Sequence, residues 1–125
     1  MERIRTYKPD EVTVAVQQNE ALLLLHFGSA LASSCELIHR QLQSLAPVFE
    51  GRVEFAEVEL PLQDLELIQR FGIEDVPTLV LFQGSEEVER FDSVQTTEAL
   101  NDFLEAAVSF YGSFSGSDDP EDPVE

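Results

Sequence analysis

The chain has 125 residues, 43% of them hydrophobic, which is enough for one domain with a buried core and too few for two ordinary ones. Twenty-five acids against seven bases leave a formal charge of -18, which repels phosphate backbones and anionic membrane surfaces and argues against nucleic acid or membrane as a partner. A lone cysteine cannot close an internal disulfide, and the apolar run from Ala21 to Leu25 is too short to span a bilayer and wrongly placed for a signal peptide, so a single cytoplasmic domain is expected.

Residues 1–8 hold three of the seven bases and a weakly specified edge strand around Arg3 to Thr6. Pro9, Asp10 and Glu11 suit a first helical turn, because proline needs no amide partner there and the acids meet the positive end of the helix dipole. A short helix to about residue 18, with Val12 and Val16 on one face, is preferred to the strand that alternating Val12, Val14 and Val16 also allow. Ala21 to Phe27 is apolar on both faces except at His26, the pattern of an interior strand covered on both sides. Gly28 to Ala32 forms the loop that leaves it. Ser33-Ser34-Cys35-Glu36 fits a capping box, which makes Cys35 a first-turn residue. Ile38, Leu42, Leu45 and Phe49 then form one apolar stripe, on a helix expected to tighten at Pro47 and end at Gly51.

Val53, Phe55 and Val58 read as a strand beside Ala21 to Phe27, joined to it by a right-handed crossover. Pro61 is expected to open a third helix, with Leu65 and Ile68 inward and Phe71-Gly72 at its close. Glu74 to Pro77 turns into the strand from Thr78 to Phe82, and Gln83-Gly84-Ser85 turns again into a return strand from about Val88 to Phe91. Thr96 can cap a last helix that buries Leu100, Phe103, Leu104 and Ala107 and stops at Gly112. The domain is expected to span residues 1–111. Residues 112–125, with five acids, two prolines and no base, read as a disordered acidic tail.

Three features together resemble the thioredoxin family over roughly residues 3 to 110: the order β-α-β-α-β-α-β-β-α, a cysteine at the start of the second helix, and Val76-Pro77-Thr78 before a hairpin. The run Leu-Leu-Leu-His-Phe-Gly-Ser-Ala-Leu-Ala-Ser-Ser-Cys ending at Cys35 is similar, without a gap, to the family's V-L-V-D-F-W-A-E-W-C-G-P-C. Phe71-Gly72-Ile73 with Val76-Pro77-Thr78 is similar to its Y-G-I and I-P-T, whose proline is cis and faces the thiols. The resemblance implies an α/β fold with a central mixed sheet and helices on both faces. It also implies departures: Cys35 falls on the second, resolving cysteine, and Ala32 replaces the attacking one, so two-cysteine exchange cannot run. His26 stands where the family has a buried aspartate, and Glu57 where it has the neighbouring lysine. A hydrogen-bonded or ionic His26–Glu57 contact beneath Cys35 is the expectation, with a satisfied core histidine as the alternative.

The first-turn position favours a thiolate at Cys35, whereas Glu36, the acidic chain and burial favour the neutral thiol. A poorly reactive thiol, or one that serves only as a small apolar residue, is expected. The resemblance places a peptide groove at Leu31, Ala32, Val76, Pro77, Ser93 and Val94. It points to a protein- or peptide-binding, chaperone-like accessory factor, comparable to those of hydrogenase maturation. The alternatives are a monothiol redox protein that forms mixed disulfides through Cys35, and a dimer linked through Cys35 under oxidation. His39 reads as a surface residue, because no second ligand lies at metal-site spacing, and no cofactor is expected.

Overall fold

The computed structural model describes residues 4–29, 33–59, 65–74 and 76–115. The elements are β1 (Ile4–Tyr7), α1 (Pro9–Gln17), β2 (Leu22–Gly28), α2 (Ser33–Leu45), β3 (Val53–Glu59), α3 (Leu65–Phe71), β4 (Thr78–Gln83), β5 (Glu86–Phe91) and α4 (Thr97–Ser115). They build a five-stranded mixed sheet in the order β1-β3-β2-β4-β5, with β1, β3 and β2 parallel and β4 and β5 antiparallel to their neighbours. This is the α/β architecture expected from the sequence.

Strand parity sorts the core into two layers, because successive side chains leave a strand on opposite faces. Leu22 and Leu24 of β2, Val53 and Phe55 of β3 and Ile4 of β1 face a layer made by Ile38, Leu42 and Leu45 of α2 and Leu100 and Leu104 of α4. Leu23, Leu25 and Phe27 face the other layer, with Val12 and Val16 of α1 and Ile73 after α3. Burial of a side chain such as Phe27 or Phe49, both inaccessible to solvent, stabilises the fold by about 1.5–3 kcal/mol each. The helical choice for Val12 and Val16 is thus the one the structure adopts.

Two helix ends differ from expectation. α2 stops at Leu45 instead of reaching Gly51, since Pro47 has no amide to donate and its ring disfavours helical backbone at Ala46. Turns carry the chain onward: the Phe49 amide donates to the Leu45 carbonyl at 3.2 Å, and Phe49 keeps its buried place in the stripe. α4 runs through Gly112 to Ser115. The helix opening at Pro61, the inward side chain of Leu65, the Ser33 hydroxyl of the capping box and the acidic tail beyond Ser115 lie outside the described residues.

Three polar ties fix the connections. Ala99 N–H donates to Thr96 Oγ1 at 3.0 Å and so caps α4. Arg90 on β5 donates to the carbonyls of Phe71 (2.7 Å) and Gly72 (3.1 Å), where Gly72 at φ +63° ends α3. Asn19 Nδ2 donates to the carbonyls of Ala21 (2.7 Å) and Gly84 (2.8 Å), which joins the entry of β2 to the β4–β5 turn.

Candidate functional site

The α2-facing layer is apolar as far as Leu24 and Phe55, and the next side chains on that face along β2 and β3 are His26 and Glu57. The parallel register sets these two residues opposite each other, and His26 Nδ1 lies 2.9 Å from Glu57 Oε2. His39 of α2 reaches the other oxygen, with Nδ1 2.7 Å from Glu57 Oε1. A carboxylate only accepts, so both imidazoles donate from Nδ1 and their Nε2 atoms carry the lone pair when neutral. The side chains are 4% exposed at His26, 15% at Glu57 and 36% at His39.

Burial would push the Glu57 carboxyl up, but the hydrogen bonds from His26 and His39, and behind them their charges, hold it below its ordinary value of 4.5. Glu57 is therefore ionised at neutral pH. His26 Nε2 is buried and has no hydrogen-bond partner among the described residues. Leaving such an atom unpaired costs about 1–3 kcal/mol.

Cys35 is 8% exposed, and its Sγ accepts the Ser29 N–H at 3.3 Å. A β-carbon on Gly28 would lie 2.9 Å from His26 Nε2 and 3.1 Å from Cys35 Sγ, so the imidazole and the thiol both pack on this glycine. An open cleft of about 460 Å³ runs over the site on the β1–β3 side, lined by Thr6, Gly28, Cys35, His39, Glu57 and Glu59. Among the described residues no cluster of three or more His, Cys, Asp or Glu is arranged to hold a metal ion.

The groove residues named from the sequence lie on the other side of Cys35. Val76 and buried Pro77 precede β4, and their shared peptide bond is cis. Antiparallel pairing of Thr78 with Phe27 sets them beside the end of β2. Exposed Ser93 and Val94 lie in the loop before α4, which Gln41 of α2 holds through a 2.7 Å hydrogen bond to the Gln95 carbonyl. Leu31 and Ala32 lie outside the described residues. The structure thus brings His26, Glu57 and Cys35 together at one cleft and places Val76, Pro77, Ser93 and Val94 apart from it.

His39 is the residue that the sequence reading missed. Read from the sequence as a surface residue, it is 36% exposed and bound to Glu57; its spacing four positions after Cys35 gives the shared helical face but not the carboxylate it meets.

The thioredoxin family model matches residues 3–106. The chain belongs to the thioredoxin family. It is 28% identical over 83 residues to a thioredoxin of Alicyclobacillus acidocaldarius, covering 66% of this chain and 78% of that one. It is 26% identical over 90 residues to a chloroplastic thioredoxin of Arabidopsis thaliana, covering 72% of this chain and 46% of that one. With Glutaredoxin-3 of Bos taurus it shares 27% identity over 105 residues, 84% of this chain and 31% of the other. The chain therefore spans less than half of the last two relatives. Among solved structures, a mutant thioredoxin from Halobacterium salinarum NRC-1 superposes with a TM-score of 0.70 at 24% identity, covering 83% of this chain and 89% of that one, a likeness of fold. Unlike the family pattern quoted above, this chain has one cysteine. Among the described residues no helix is long and apolar enough to cross a membrane.

Proposed function

We propose that this thioredoxin-like protein acts mainly by holding an extended protein or peptide segment, as a chaperone-like accessory factor in the cytoplasm. One observation carries this reading. The chain has a single cysteine, so no second thiol is present to complete a dithiol cycle, and that one thiol is buried and accepts the Ser29 amide. The groove at Val76, Pro77, Ser93 and Val94 provides a partly apolar rim for backbone-directed capture. Assistance in enzyme maturation, of which hydrogenase assembly is an example, is the role this shape suits by analogy. The test is retention of extended peptides from a defined library on immobilised protein. Val76→Asp and Val94→Asp are expected to weaken retention at least tenfold, and Cys35→Ala to preserve it; retention lost in Cys35→Ala alone would overturn the reading.

A second reading, a monothiol redox protein forming mixed disulfides, is favoured by the position of Cys35 at the edge of the cleft beside His26. Its test is a mass adduct on Cys35 after exposure to a disulfide. The burial of Cys35 works against a dimer joined through it.

A further inference from the structure

We propose that Cys35 Sγ and His26 Nε2 together form a two-coordinate site for a soft monovalent metal ion, of the copper(I) and silver(I) class, reached through the cleft. Glu57 Oε2 lies 2.9 Å from His26 Nδ1 and accepts its proton's hydrogen bond, which leaves Nε2 as the lone-pair nitrogen of the neutral ring. A carboxylate behind an imidazole in this way fixes the metal-binding tautomer and raises the basicity of the ligating nitrogen. His26 is 4% exposed, and among the described residues no donor meets its Nε2. That nitrogen and Cys35 Sγ stand 2.9 and 3.1 Å from one point, the place that a β-carbon on Gly28 would take. Glycine thus leaves room over its α-carbon for an ion between a nitrogen and a sulfur. Movements of about 1 Å bring both atoms to metal bonds of about 2.0–2.3 Å.

The donor set selects the ion. Thiolate and imidazole suit copper(I), whereas hard cations prefer oxygen. Zinc(II) takes at least three protein ligands, and among the described residues no group of three or more His, Cys, Asp or Glu is arranged to hold a metal ion. Charge gives the same answer. On binding, the Cys35 S–H bond breaks, its proton leaves to solvent and a sulfur–metal bond replaces it. A monovalent ion and a thiolate are then buried as a neutral pair, whereas a divalent ion would leave that pair with a positive charge at a site where Cys35 is 8% exposed. The Ser29 N–H, 3.3 Å from Sγ, donates to the sulfur and supports the charge it gains. The described lining of the cleft includes Glu36, Glu57 and Glu59 and no Lys or Arg, which draws cations inward. The site needs neither the groove at Pro77 nor a second cysteine.

The experiment titrates the full chain with silver nitrate in chloride-free buffer, followed by calorimetry and by imidazole nitrogen NMR. Wild type is expected to bind one silver ion, and Cys35→Ser to lose it. His26→Ala and His26→Gln are each expected to weaken binding roughly 100-fold, and Glu57→Gln roughly tenfold. In the NMR spectrum His26 Nε2 is expected to shift strongly on binding. His39, whose Nδ1 meets the other oxygen of Glu57, is the internal control and should move little. No binding by wild type, or silver retained by Cys35→Ser, would overturn the site. Equal affinity in a folded His26 variant would mean that the thiol alone takes the ion, and would overturn it as well. Should neither His26 variant fold, the wild-type spectrum decides: a shift at His39 in place of His26, or at neither, sinks the proposal. Zinc(II) bound as tightly as silver(I) would overturn the preference for a soft monovalent ion.

Discussion

Glu57 carries a pH signature of its own. Its carboxyl titrates below the ordinary 4.5, so its hydrogen bonds stabilise the fold fully above that value and are lost as pH falls through the folded-state value. Glu57→Gln is therefore expected to cost about 1–2 kcal/mol in urea unfolding at pH 7 and much less near pH 3. A gap of equal size at both pH values would contradict the assignment. Gly28 makes a steric prediction at the same site. An added methyl would press on His26 and Cys35 at 2.9 and 3.1 Å, and Gly28→Ala is expected to destabilise by about 1–3 kcal/mol. Glycine is needed at this position because of the close approach, not because of its backbone angle.

At the scale of elements, helix ends and strand ties carry the predictions. Thr96→Ala removes the α4 cap and is expected to cost about 1 kcal/mol, lowering Tm by roughly 3–6 °C. Arg90 bonds two carbonyls at the end of α3 and both carboxylate oxygens of Glu87, a fork that Lys cannot reproduce. Arg90→Lys is thus expected to behave more like Arg90→Ala than like wild type in amide hydrogen exchange at Ile73, whose buried position follows that helix end. The periodic elements were legible in the sequence because burial writes itself as spacing: Ala21 to Phe27 as a run that is apolar but for His26, Ile38 to Phe49 as a stripe. The end of α2 was not legible from that stripe, since Phe49 stays buried from a turn as well as from a helix. The His26–Glu57 pairing was legible through the resemblance, whose ungapped register sets Glu57 where the family has the residue beside the position of His26. His39 was not, because its role depends on a carboxylate that a different element supplies.

Across the whole molecule, the dominant long-range term is the charge of -18. Self-repulsion on that scale is relieved by screening, so Tm is expected to rise as sodium chloride goes from about 10 to 150 mM. A flat or falling Tm would show that local pairs such as Arg90–Glu87 outweigh the global field.

The Asn19 tie has a consequence for how the chain tolerates being cut. Its amide donates to two carbonyls, that of Ala21 2 positions on and that of Gly84 65 positions on, and the Gly84 amide returns a bond to the Ala21 carbonyl at 3.1 Å. The β4–β5 turn, which by its glycine and exposed Ser85 looks like a place to open new termini, is in fact stapled to the start of the central strand. A circular permutant opened between Gly84 and Ser85 would have to hold that staple with a free end, and it should fold less stably than one opened in the exposed loop at Ser93.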